Sequence, residues 1–263
     1  MCIRDSVLVA SLATTVYGFG ILASYGIGWL LAVVVGLLFF LPRLQSGYHP
    51  SFTIKRELVN EMVHYSLANY IAGLINKVPI SILPLIVISL LGAEQNAYFY
   101  VAFAVIGGGL NAIPASTSLS LFAEGSHNEK ALGQYVRRSL KFSFLILAPL
   151  IILIFLIGDK ILLLFGQAYS AEATKLLWVL AVSSLPLTVN TIYFFKKRVE
   201  KEMKSVIGLT ALTGVIVLAT SYFLLPIMGI MGAGIGWLAG HGLVTVVIIG
   251  MSQIKRKPRY SDG

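Results

Sequence analysis

Apolar residues in this chain fall in long blocks rather than in short amphipathic repeats. The blocks run Val7 to Ala23, Gly26 to Leu41, Val63 to Leu91, Ala97 to Phe122, Phe142 to Ile157, Leu176 to Phe195, Val206 to Leu225 and Gly229 to Met251. A bilayer core takes about 20 apolar residues per helix, so the pattern predicts about eight transmembrane helices. The longest interval between blocks, Pro42 to Met62, is too short for a soluble domain. Composition agrees: 57% of the 263 residues are hydrophobic and mean hydropathy is +0.86, outside the soluble globular range.

The cations then orient the helices. Arg43, Lys55 and Arg56 follow the second block, and Lys130, Arg137, Arg138 and Lys141 follow the fourth. Lys196, Lys197, Arg198, Lys201 and Lys204 follow the sixth; Lys255, Arg256, Lys257 and Arg259 follow the eighth. Sixteen of the 20 Lys and Arg therefore sit in alternate gaps, whereas the other gaps hold only Lys160 and Lys175. Short loops rich in cations stay in the cytoplasm, so these gaps and the C-terminus are expected to face inward. A net charge of +9 spread over four inner loops suits anionic lipid rather than nucleic acid, for which no basic stripe or stacking motif is present.

The opening hexamer, Met1 to Ser6, reads MCIRDS and resembles a translated sequencing-adaptor remnant, so residues 1–6 are taken as a non-native leader. The only cysteine, Cys2, lies within it. Without that cysteine, disulfides and thiolate metal sites are excluded, and no metal or cofactor is expected. The remaining chain divides into residues 7–62 (two spans and an inner connecting segment), residues 63–252 (a six-helix lobe) and a basic tail, residues 253–263. Two cationic stretches read as interfacial amphipathic helices. One has Ile54, Leu58 and Met62 at helical spacing; the other has Leu132, Tyr135, Val136 and Leu140. The string GIGWL occurs at Gly26 to Leu30 and again at Gly234 to Leu238, each time opening an inward-running span. Such copies suggest a parallel repeat of two helical bundles.

Polar residues inside the blocks are the candidate site. The third block carries Ser66, Asn69, Asn76 and Lys77 ahead of Pro79 and Pro84. On a helix these four polar residues share an arc of about 100°. The prolines are expected to kink the helix beside a protein-lined cavity. A charged Lys near mid-membrane costs on the order of 3 kcal/mol, and all eleven Asp and Glu lie in loops or at termini. Lys77 therefore reads either as a binder of an anionic headgroup, by charge-assisted hydrogen bonds, or as a cation that snorkels to the interface. Asn111, between Gly107 to Gly109 and Pro114, either lines a cavity or serves helix packing. Asn190 and His241 are candidates for a proton or polar relay, and equally for interhelical hydrogen bonding. Gly232, Gly236 and Gly240 form a repeated GxxxG that permits close helix approach. There is no P-loop, HExxH or GxSxG motif and no pair of intramembrane aspartates, which argues against an enzyme.

The run Tyr65 to His127, with YSLANYIAGLI, LPLIVISLLG, AYFYVA and LFAEGSH, resembles the seventh and eighth spans of prokaryotic polysaccharide/oligosaccharide flippases. LFGQAYS at Leu164 to Ser170 and the segment ending PIMGIMGAGIGWLAGH resemble later spans of the same family, a branch of the MATE/MOP superfamily. The resemblance implies an all-α, two-lobed bundle of 12 to 14 helices that works by alternating access, of which this chain is the C-terminal part. The implied substrate is an oligosaccharide on a polyprenyl pyrophosphate carrier. The implied partners are membrane lipid, the missing N-terminal half of the same protein and polysaccharide-assembly proteins. Lys77, Asn76, Asn69, Ser66 and Asn111 are then the expected substrate contacts. A multidrug or metabolite cation antiporter of the MATE type is the second reading, and a membrane glycan ligase or polymerase is a remote third.

Overall fold

The computed structural model describes residues 26–44 and 56–254. The first expected span, Val7 to Ala23, and the basic tail fall outside the described residues. By its internal packing the chain divides between Val59 and Asn60. In the first unit, helix α1 (residues 26–44) is π-wound at Gly36–Phe40 and α-helical again at Leu41–Leu44. Its apolar stretch, Gly26–Phe40, is shorter than a full span.

The rest is a bundle of α2 (Arg56–Leu91), α3 (Ala93–Gly108), α4 (Ala112–His127), α5 (Leu132–Leu163), α6 (Gln167–Val199), α7 (Met203–Met228) and α8 (Ile230–Ile254). Six stretches are long and apolar enough to cross a membrane, with α3 and α4 together forming one of them. They match the third to eighth expected spans, and the chain is a multi-pass membrane protein. The helices outrun the apolar blocks. Asp159 and Lys160 ride on the last turns of α5, and Glu172 and Lys175 on the first turns of α6. Charge ends contact with lipid, but it does not end a helix.

The links explain where charges are absent. Gly92 alone joins α2 to α3, and Gly229 alone joins α7 to α8, with φ of 90° and 59°. Only glycine takes such angles at little cost, and a single-residue turn has no room for Lys or Arg. At the opposite, basic end α4 joins α5 through residues 128–131 and α6 joins α7 through residues 200–202.

One expectation changes here. The second cationic stretch read as a flat interfacial helix is the first turns of α5 instead, continuous with its span; of the first, Ile54 lies outside the described residues and the part from Arg56 onward is the start of α2. Leu132, Tyr135, Val136 and Leu140 pack with Leu121 of α4 and with Ile192 and Val199 of α6, so neighbouring helices take up the stripe rather than lipid headgroups. The third span runs as one continuous helix through Pro79 and Pro84.

Helix α6 is the central post, packed on α3, α4, α5 and α8. Its Leu176, Leu177, Leu180 and Ala181 are fully or almost fully buried and join Phe99, Leu147, Ile154 and Trp237 in the main core. Phe103 of α3 meets Trp237 of α8 edge-on at 4.9 Å. Peripheral α2 contributes Leu83 and Val87 to that core and Ala72 to a smaller cluster with Met203 and Val206 of α7. Large apolar side chains stand exposed along every span, as lipid contact requires.

Candidate functional site

Ser66, Asn69, Asn76 and Lys77 are all exposed on α2. They flank the line of Ala72, Pro79, Leu83 and Val87 by which the helix is buried in the bundle. Pro79 seats against Gly214 of α7, where an added Cβ would lie 3.7 Å from the proline Cδ. That contact anchors the helix two residues beyond Lys77. Among the described residues, none of the four polar side chains has a hydrogen-bond or ion-pair partner. Lys77 stands at the middle of the span Met62–Leu91. With the span centred in a bilayer core about 30 Å thick, each interface is about 15 Å away, well beyond a four-carbon stem. An ammonium facing hydrocarbon there would demand an anionic or strongly dipolar partner.

Asn111 is not joined to that stripe. It lies at the break between α3 and α4, where the chain leaves helix at Gly109 and re-enters at Ala112. Its Oδ1 accepts a hydrogen bond of 2.9 Å from Ser184 of α6. The amide thereby ties the broken span to the central helix.

Asn190 and His241 are brought together. Asn190, 1% exposed, donates from Nδ2 to the His241 carbonyl at 2.9 Å and lies 3.3 Å from the ring Nδ1. Thr245 donates to Asn190 Oδ1 at 2.9 Å, and the His241 ring stacks at a tilt on Trp237, 4.9 Å between centroids. These contacts bridge α6 and α8 and leave no charged partner beside the imidazole among the described residues.

The three glycines of α8 face α7. A Cβ on Gly232 would lie 2.5 Å from the Leu224 carbonyl carbon, and one on Gly236 would lie 2.8 Å from the Ser221 amide nitrogen. One on Gly240 would lie 3.1 Å from the Thr213 carbonyl oxygen. The backbones touch because side chains are absent, the usual means of binding two helices in lipid.

Sequence reasoning missed the ion cluster at the basic end of α6. Lys197 is 4% exposed and donates to Glu200 at 2.6 Å and to Glu202 at 2.8 Å, while Lys196 lies 3.4 Å from Glu200. The run KKRVEKE carries that signal in its three-to-five residue spacings. Thr245, one turn beyond His241, was legible in the same way. Among the described residues no group of His, Cys, Asp and Glu could hold a metal.

Comparison with known proteins places this bundle. A family model described as polysaccharide biosynthesis protein matches residues 6–174, more than half of the chain. The chain belongs to the polysaccharide biosynthesis protein family. The matched segment includes the whole α2 stripe and Asn111, whereas Asn190, His241 and the glycine seam lie beyond it. Among solved structures, a MATE protein in complex with MaL6 superposes with a TM-score of 0.76 at 19% identity, covering 96% of this chain and 61% of that one. An outward-facing multidrug resistance MATE family transporter of the MOP superfamily gives 0.75 at 18% identity, covering 97% and 60%. MATE in its bent conformation gives 0.76 at 19% identity, covering 96% and 60%. This family member thus has the MATE transporter fold and spans about 60% of the length of those chains. No curated protein matches it.

Proposed function

We propose that this protein is a flippase that carries a lipid-linked oligosaccharide across the prokaryotic cytoplasmic membrane by alternating access, with its C-terminus in the cytoplasm. The observation that carries the reading is Lys77, an exposed cation at mid-span without a partner among the described residues, beside Asn76, Asn69 and Ser66. Such a group meets the pyrophosphate of a polyprenyl-linked glycan through charge-assisted hydrogen bonds, the neighbouring amides and hydroxyl supplying further donors. Membership of the polysaccharide biosynthesis protein family supports a glycan cargo, and the MATE fold supports alternating access. The reading requires no bond-making chemistry, so the protein is a transporter and not an enzyme. Asn111 acts by holding the broken helix to α6 rather than by touching substrate.

The second reading, a multidrug or metabolite cation antiporter, is favoured by the likeness to MATE multidrug transporters. Cationic cargo, however, wants acidic or aromatic linings. Among the described residues, every carboxylate carried on a helix of the bundle lies within six residues of that helix's end. Glycan display at the surface of a strain lacking its own flippase tests the choice. Expression of the full-length protein that carries this segment restores display, Lys77→Ala removes it and Lys77→Arg retains part of it. Efflux of organic cations without restored display would favour the antiporter.

A further inference from the structure

A separate cavity of about 190 Å³ lies at the basic end, between the last turns of α4 and the first turns of α5. Thr117, Ser120, Glu124, Tyr135, Arg138 and Ser139 give it a polar wall. The Thr117 hydroxyl is committed, to the Ile113 carbonyl at 3.0 Å and to Ser143 at 2.8 Å. The other five side chains have no hydrogen-bond or ion-pair partner among the described residues. A carboxylate and a guanidinium thus line one small space without touching each other.

That arrangement discriminates among ligands. A small anion is drawn by Arg138 but repelled by Glu124, and a small cation meets the reverse; neither gains much net attraction. A neutral polyol satisfies both groups at once, since each hydroxyl donates to the carboxylate and accepts from the guanidinium. Size points the same way: drug-sized ligands occupy pockets of about 300–1,000 Å³, whereas this space suits a single ring. Tyr135 and Phe142 add aromatic surface for the apolar face of such a ring.

We infer that this cavity binds one sugar residue of the lipid-linked glycan at the cytoplasmic side, so that the flippase reads its cargo before moving it. The inference rests on the flippase reading above, and the two fail differently. The full-length protein in nanodiscs is titrated with two probes, a short-chain isoprenyl pyrophosphate bearing N-acetylglucosamine and the same carrier without sugar. The wild type is expected to bind the glycosylated probe more tightly. Glu124→Ala and Arg138→Ala, both at exposed positions, are each expected to weaken that probe roughly tenfold while leaving the bare carrier unchanged. The unchanged bare-carrier affinity doubles as the check on folding. Absence of a preference in the wild type, or a preference that survives both substitutions, overturns the sugar site and leaves the flippase reading standing. Failure to bind either carrier overturns both.

Discussion

Replacing Gly236 with Ala should separate α7 from α8, and the structure sets the size of the effect. The new methyl would overlap the Ser221 hydroxyl and stand 2.8 Å from the Ser221 amide nitrogen and 3.0 Å from the Val217 carbonyl oxygen. Ordinary carbon contacts fall near 3.5–4.0 Å, so the helices must part by about half an ångström to one ångström. Backbone cannot rotate aside as a long side chain can. Forcing a methylene into a packed seam costs typically about 1–3 kcal/mol, and that range is the expectation for Gly236→Ala. Gly240→Ala, with backbone contacts of 3.1 and 3.2 Å, should fall at the low end. The double variant should cost less than the sum, because one parting of the helices accommodates both methyls. Gly242 and Gly250 supply the control, since a Cβ at either meets nothing within 4 Å. Reversible unfolding in mixed detergent micelles measures all five variants. Should Gly236→Ala unfold like Gly242→Ala, the close approach of α7 and α8 would be refuted.

Three further outcomes concern the rest of the bundle. Asn190→Ala should lower stability by about 0.6 kcal/mol and at most about 1.7, the range for interhelical hydrogen bonds in lipid, and Thr245→Val should add little on top; full additivity would mean the two do not share a network. Lys197→Met should cost about 1–3 kcal/mol, less than a fully buried pair, because Glu200 and Glu202 are 29% and 44% exposed and rehydrate once freed; removal of both carboxylates in the same background should recover part of the loss. Cysteines placed at Gln167 and Ser252 in a chain with Cys2 replaced should react with an impermeant maleimide from opposite sides, Gln167→Cys from outside only, and labelling of Ser252→Cys in intact cells would invert the topology.

The fold was legible because the physics of spanning a bilayer is written in blocks and in cation bias. The third to eighth blocks each appear as a crossing, and the bare gaps coincide with single-residue glycine turns at Gly92 and Gly229. Helix ends were not legible, since Arg56 and Leu132 look interfacial in sequence yet begin the long helices α2 and α5. Partners across helices were hidden for a similar reason. Nothing local in the sequence says that Asn111 meets Ser184, 73 positions away, or that Glu124 and Arg138 share a cavity. The α2 stripe could be read because all four residues lie on one helix, where spacing alone fixes the arc they share.

Flipping of a fluorescent short-chain isoprenyl pyrophosphate glycan in proteoliposomes tests the central claim most directly. The full-length wild type should move the probe between leaflets, Lys77→Ala should lower the rate roughly tenfold or more with the loss of a charge-assisted contact, and Lys77→Arg should keep much of it. Because Lys77 has no partner among the described residues, none of these changes should alter insertion or unfolding. A Lys77→Ala protein that inserts normally and flips the glycan at the wild-type rate would contradict the account.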